Sequence, residues 1–393
     1  MLTMQGGTQM RNRGQAMIAH LARTVLGVVA AAALSACGAL PERPQVSADA
    51  QVGAVVPGFE NARLWQDGRA SAWNGWRARA AAQRAQTGST GRLEMLAISS
   101  GADKGAFTAG YLGGWSEAGT RPEFDIVSGV STGALIAPFA FLGEEYDSRL
   151  EELYTGINAR MIYRMRSVQG LLGGPALATT EPLAELIERY ADTSVIDRVA
   201  QEHARGRRLL VMTANLDAQR GVVWDMGAIA SSDSAERYAL FRKVLLASAS
   251  IPGFFPPVLI EVTSGQQRFS ELHVDGGVVS SILVIPPAVA FEDQANGTKV
   301  DARLTVLYNG ALGAVHKVVK PDAFSIMERA LFTAIKQADQ GEILILKQYA
   351  QETGLVLDIE SIGPEAEQGD QDLFDQDFMN RLYRRGRERG LAR

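Results

Sequence analysis

The sequence predicts an α/β fold with helices on both faces of a sheet. Three observations carry this expectation. The 393 residues are 46% hydrophobic and 21% charged, an ordinary globular balance with enough apolar material for a sizeable core. From residue 93 onward, short apolar runs of strand length alternate with longer runs of helical spacing. Breakers such as Ile251-Pro252-Gly253 punctuate them.

The elements follow in order. Residues 38–60 hold Pro41, Pro44 and Pro57 with little periodicity and read as a tether. Residues 61–91 are rich in Ala and Arg and carry Trp65, Trp73 and Trp76. These rings are expected to pack on the body rather than to sit at a lipid interface. Residues 93–98 (LEMLAI) read as a buried strand, 105–117 as a helix, 124–128 as a strand and 133–142 as a helix. Residues 181–190 place Leu183, Leu186, Ile187 and Tyr190 at helical spacing. Residues 209–213 and 221–225 read as strands of a possible hairpin, and 237–249 as a helix ended by the Pro252-Gly253 breaker. Strands over 269–274 and 304–308 and a helix over 322–349 complete the pattern. Near the end, Phe374, Phe378 and Leu382 share one helical face, and a run of arginines complements the C-terminal dipole.

Net charge is −5. The first 36 residues hold Arg11, Arg13 and Arg23 and no acid; without them 36 basic residues face 44 acidic ones, a balance of −8. Such a body argues against nucleic acid as a partner. Cys37 is the only cysteine, which excludes an intramolecular disulfide and a cysteine-rich metal site. No two of His20, His203, His273 and His316 have metal-ligand spacing, so no metal or cofactor is expected.

Residues 24–34 (TVLGVVAAAAL) follow the three arginines. The run is short of the about 20 residues that span a bilayer and suits the h-region of a secretory signal. It ends in Leu34-Ser35-Ala36-Cys37-Gly38, which resembles the bacterial lipobox. That resemblance implies cleavage before Cys37, lipidation of its thiol and anchoring in the cell envelope. Gly38 in place of aspartate implies the outer membrane. An ordinary signal peptide with an incidental cysteine is the plainer alternative. Met10 or Met17 would serve equally as the start.

Residues 129–133 read GVSTG between a strand and a helix. In G-x-S-x-G the serine occupies a sharp strand-to-helix turn that needs small neighbours, here Gly129 and Gly133. The turn would lift the Ser131 hydroxyl to a helix N-terminus, where developing negative charge is favoured. Alone, the pentapeptide is a weak signal. A base is also required. His203 lies in a polar stretch (QEHARGRR) and reads as a solvated helix end. His316 lacks a companion acid in a recognisable motif, and His273 shares a strand face with Asp275 without thereby making a triad. Asp275, in VDGG, is the stronger candidate, since a carboxylate within hydrogen-bond reach can act directly. Asp-Gly is also a common turn. Upstream, SGADKGAF (100–107) is a small-residue loop whose amides could face an oxyanion, or a plain connection.

In that order SGADKGAF, GVSTG and VDGG resemble the signature of patatin-like lipid acyl hydrolases. FDIVSGVSTGALIAPFAFLG (124–143) and ASASIPGFFPPV (247–258) are similar to bacterial members as well, and the resemblance covers about residues 93–290. It implies a three-layer α/β/α fold with a mainly parallel central sheet. It implies a Ser131-Asp275 dyad without catalytic histidine or cofactor, and oxyanion donors at the amides of Gly101, Ala102 and Asp103. The family's usual loop is G-G-G-x-R-G; here Ser100 and Ala102 replace two glycines and Lys104 stands for arginine. Ala102 is unstrained in such a loop only with negative φ.

The expected organisation is a lipoprotein signal over 1–36, a tether over 37–60 and an N-terminal extension over 61–92. A catalytic domain over 93–290 and a C-terminal part packed on it over 291–393 follow. The expected function is a membrane-anchored serine hydrolase of lipid acyl esters, of phospholipase A or lysophospholipase type. A short-chain esterase or thioesterase with the same dyad, an α/β-hydrolase using His316, and a non-catalytic lipoprotein are the other readings.

Overall fold

The computed structural model describes residues 42–88, 91–165, 175–284, 286–366 and 372–393. Cys37 and the signal segment lie outside these residues. A nine-stranded sheet is built from β1 (Arg63–Trp65), β2 (Leu93–Ile98), β3 (Ile126–Val130), β6 (Arg208–Asn215), β7 (Arg220–Asp225), β8 (Val258–Ser264), β9 (Gln267–Asp275), β10 (Ala302–Tyr308) and β11 (Val356–Ser361). The short pair β4 (Arg164–Met165) and β5 (Ala178–Thr179) stands apart. The main order is β1-β7-β6-β3-β2-β10-β11; β6, β3, β2, β10 and β11 run parallel, and β6-β7 is the antiparallel hairpin expected.

Alternating side chains serve two faces. Leu96 and Ile98 of β2, Val127 of β3 and Leu307 of β10 point into the larger core, under the helices Gly105–Glu117, Thr132–Leu142 and Gln376–Leu391. Ala97, Leu304 and Val306 point the other way, against the long helix Ala323–Thr353. Beside them Trp73 and Trp76 of the helix Ala70–Gln86 close over Val130, Met212 and Val223, so these two tryptophans pack on the body as expected. The result is three layers, α/β/α, with a mainly parallel sheet.

Three expectations are corrected. The strand expected over 124–128 occupies 126–130. Phe124 is buried but precedes the ladder, and Asp125 turns its carboxylate back to accept the Glu94 N–H at 2.8 Å. Residues 43–60 are not a free tether. Val56 and Phe59 are buried, Val55 bridges to Thr263, and Arg43 pairs with Asp217. The segment closes the β8-β9 side of the sheet, a long-range contact that its proline content did not disclose. The boundaries drawn at 92 and 290 likewise cut one continuous sheet, since β1, β10 and β11 all belong to it.

The terminal helix Gln376–Leu391 crosses the helix Gly105–Glu117 at backbone contact. A Cβ on Gly110 would lie 2.0 Å from the Tyr383 carbonyl oxygen, and one on Gly386 2.0 Å from that of Phe107. Gly114 and Gly390 repeat the arrangement one turn on. Arg389 stands in the last turn of this helix, as expected, and its arginines also make specific pairs. Arg387 pairs with Glu117 at 2.5 Å, Arg389 with Glu360 and Arg393 with Asp358.

Candidate active site

The site forms where β3 ends. Val130 is paired with Met212 of β6, and the next residue of β6, Thr213, is paired with Asp275 of β9. β9 therefore takes the place beside β6 that β3 vacates. Ser131 and Asp275 are brought together by that exchange. The Asp275 carboxyl accepts the Gly277 N–H at 2.8 Å and stands near enough to the Ser131 hydroxyl for that group to hold its pKa down. Burial pushes Asp275 up to about 6, against the lowering effect of the Ser131 hydroxyl and the Gly277 N–H.

Ser131 adopts φ 58° and ψ −122° at the N-terminus of the helix Thr132–Leu142. The turn requires its glycines. A Cβ on Gly129 would lie 2.2 Å from the Gly133 carbonyl oxygen, and one on Gly133 2.2 Å from that of Ile98. Ser248, which sequence reasoning did not single out, braces the turn. Its hydroxyl accepts the Ser131 N–H at 3.0 Å and donates to the Met212 carbonyl at 2.7 Å.

The loop 100–105 lies beside this turn. Ser100 donates its N–H to the Ser281 carbonyl at 2.9 Å and its hydroxyl to Ser281 Oγ at 2.9 Å, tying the loop to the chain just after Asp275. Asn309 grips the other side, with its backbone N–H on Ser99 Oγ and Nδ2 on the Ser99 carbonyl. Gly101 has φ 155°, and a Cβ there would lie 2.4 Å from the Asn309 carbonyl oxygen. Ala102 has φ 52°, so the loop does hold alanine in the left-handed region, at a cost of roughly 1–2 kcal/mol. Asp103 is buried and accepts the Phe374 N–H at 3.0 Å; burial raises its pKa against that bond and the nearby Lys104. Gly101→Ala is expected to displace the loop and lower kcat about 100-fold or more while the circular dichroism spectrum is retained. An active G101A protein would show that this loop does not shape the site.

An apolar cavity opens at Ser131. Its walls include Ala102, Leu135, Phe139, Leu153, Ile157, Leu183, Leu186, Ile187, Leu245, Phe255, Phe374 and Met379. It encloses about 850 Å³ including its open mouth. Tyr154 and Thr132, the polar groups beside the serine, bond each other at 2.5 Å. Four described non-glycine residues have positive φ, and three of them, Ala102, Ser131 and Phe374, line this cavity. Backbone strain concentrates where chemistry is expected.

The histidines stand elsewhere. His273 is fully buried, with Nδ1 on Thr213 Oγ1 at 2.9 Å and Nε2 on Glu271 Oε2 at 3.0 Å, and Glu271 is held in turn by Arg63. Both ring nitrogens are thus engaged away from Ser131. His203 is not the solvated helix end expected. It ends the helix Thr193–Ala204 but is largely buried 3.4 Å from Asp225, and burial lowers its pKa. His316 is exposed and lines no part of the cavity. Among the described residues, no group of three or more His, Cys, Asp or Glu side chains is arranged to hold a metal ion.

A family model described as patatin-like phospholipase matches residues 96–288. The chain thus carries a patatin-like phospholipase domain, and the three motifs and the cavity all fall within or against it. Among solved structures, similarity is found to VipD from Legionella pneumophila, at 11% identity and TM-score 0.40, over 77% of this chain and 66% of that one. It is also found to the type III effector protein ExoU, at 12% identity and TM-score 0.32, over 77% of this chain and 52% of that one. This chain therefore spans less than two thirds of the length of either. Comparison with curated proteins gives no match.

Proposed function

We propose that this protein is a serine hydrolase of lipid acyl esters, with Ser131 as nucleophile and Asp275 as its base. The observation that carries the reading is Ser131 on the wall of an apolar cavity with the buried Asp275 carboxyl close beside its hydroxyl, inside a domain of this family. Ser131 Oγ attacks the acyl carbonyl carbon as its proton passes to Asp275. The tetrahedral oxyanion faces the amides of Gly101, Ala102 and Asp103. On collapse the ester bond breaks, and the leaving alcohol takes the proton from Asp275. Water then attacks the acyl-enzyme, gives its proton to Asp275, and Ser131 is restored as the fatty acid leaves. The apolar walls suit a fatty acyl chain and favour lipid over a small ester.

A fluorophosphonate probe is expected to label the protein at Ser131. No label on folded protein, or label on another serine, would sink the assignment. The pH profile follows from the base. Asp275 must be ionised to accept the proton, and burial places its pKa at about 6. The expected kcat/KM rises roughly tenfold per pH unit below about 6 and is level above it. A profile flat down to pH 4 would contradict a base at Asp275.

The proposal extends to the envelope: Cys37 is the lipidated first residue of the mature protein, which acts tethered to the outer membrane. The motif at 34–38 supports this. Mass spectrometry of the N-terminal peptide from the membrane fraction tests it; an unmodified peptide starting elsewhere would refute it.

A further inference from the structure

The long helix Ala323–Thr353 is larger than its packing task. Its inner face, with Ile343, Leu346 and Tyr349, is buried against the sheet. Asp339 is already level with the end of β10, where it accepts the Tyr308 hydroxyl at 2.8 Å. β10 ends flush with β2 and β3, so this is the edge that carries Ser131. Residues 323–338 therefore continue past the active-site edge for about 24 Å of helix.

The outer face carries two apolar clusters, Ile326 to Ala334 and Leu344 with Ile345, separated by the exposed Gln337 and Gly341. At 3.6 residues per turn, Ile326, Met327, Ala330, Ala334, Leu344 and Ile345 fall within about one third of the circumference. Met327 is 61% exposed, Leu344 67% and Ile345 64%. On this face no charged residue occurs between Ile326 and Gln348. Arg329, Lys336 and Lys347 fall together along one flank, Lys347 exposed and the other two half-buried with Arg329 donating to the Val315 carbonyl at 2.7 Å, while Glu328 is on the side opposite the stripe. Val318 in the adjoining loop is 83% exposed, with Lys317 and Lys320 around it. Among the described residues, no helix is long and apolar enough to cross a membrane.

We propose that this outer face docks on an anionic lipid bilayer. Apolar side chains enter the headgroup boundary and the basic flank meets the phosphates, as in helices that lie in the interface plane. The basic flank on an otherwise acidic chain favours an anionic surface over a second copy, which would bring the same flank. Residues 323–338 of this helix project beyond the same sheet edge at which β3 ends, so docking there would set that edge toward the lipid. The proposal deepens the lipid-hydrolase reading and rests on it for the substrate.

The test uses the full chain carrying Cys37→Ser, so that no acyl anchor contributes. Its sedimentation is measured with vesicles of phosphatidylcholine alone and of equal parts phosphatidylcholine and phosphatidylglycerol. The expected result is binding to the anionic vesicles, reduced roughly tenfold or more by combined Met327→Gln, Leu344→Gln and Ile345→Gln, and reduced also by Lys336→Glu with Lys347→Glu. Hydrolysis of soluble p-nitrophenyl butyrate separates the two claims. If the apolar variant keeps that activity and loses vesicle binding, the docking face stands. If neither protein hydrolyses the ester but binding follows the pattern, docking stands and the hydrolase reading fails. Equal binding by parent and variants overturns the docking face. So does a parent that elutes as a dimer and becomes monomeric in the apolar variant, which would assign the stripe to a second copy.

Discussion

Asp275→Asn is expected to abolish turnover and, at the same time, to make the protein more stable. Asparagine matches the shape of the carboxylate and keeps an oxygen for the Gly277 N–H that Asp275 accepts at 2.8 Å. Its other terminal group is then an NH₂ facing Ser131. That group donates and cannot take a proton, so nucleophile activation is lost. A fall in kcat/KM of about 10⁴-fold or more is expected, as for other activated serines deprived of their base. Stability moves the other way. Asp275 is buried and its pKa is raised to about 6, so the folded state disfavours the charged form. For a carboxyl raised on folding, the cost is absent below the unfolded pKa, builds as pH rises through the folded value, and is complete above it. At pH 7 the neutral amide escapes a penalty of roughly 3 kcal/mol, which appears as a higher melting temperature. The gain should vanish near pH 4. An Asn variant that melts lower at pH 7 with activity intact would contradict both halves.

Gly386→Ala is expected to cost about 3 kcal/mol or more. In an exposed helix the same change gains up to about 1 kcal/mol, because alanine is the better helix former. Here the new Cβ would lie 2.0 Å from the Phe107 carbonyl oxygen and 2.9 Å from the Tyr111 nitrogen. Backbone cannot rotate away as a side chain can, so the helices Gly105–Glu117 and Gln376–Leu391 must separate. Separation would also disturb the site, since Met379 and Phe374 line the cavity and the Phe374 N–H is bonded to Asp103. Gly113→Ala is the control. Its Cβ would meet only the Tyr383 hydroxyl, at 3.5 Å, and the change should be neutral or stabilising. Equal melting temperatures for the two variants would show that the close crossing is not as described.

Much of this was legible because it is local. The strand 93–98 and the helices 105–117 and 181–190 have the bounds their apolar spacing set. Ser131 was legible from its glycines, whose need is a backbone clash within a few residues or against the neighbouring strand. Asp275 was proposed from two glycines and the want of a better base; what places it is the register by which β9 replaces β3 beside β6. No periodicity reports such a register. The cavity walls come from several helices far apart in sequence, and Ser248 and Asn309 act through long-range hydrogen bonds. The glycine crossing did leave a trace, in the four-residue spacing of Gly110 with Gly114 and of Gly386 with Gly390. The packing of residues 43–60 left none, since proline and polar composition look the same in a tether and in a surface-bound strap.

The central claim is that Ser131 and Asp275 together cleave lipid acyl esters without a histidine. The most direct measurement is fatty-acid release from phospholipid vesicles by the full chain, its Ser131→Ala and Asp275→Asn variants, and a His316→Ala variant. Release by the parent and by H316A, with loss of about 10⁴-fold or more in S131A and D275N, is the predicted result. Release that survives D275N, or that disappears with H316A in a folded protein, would contradict it.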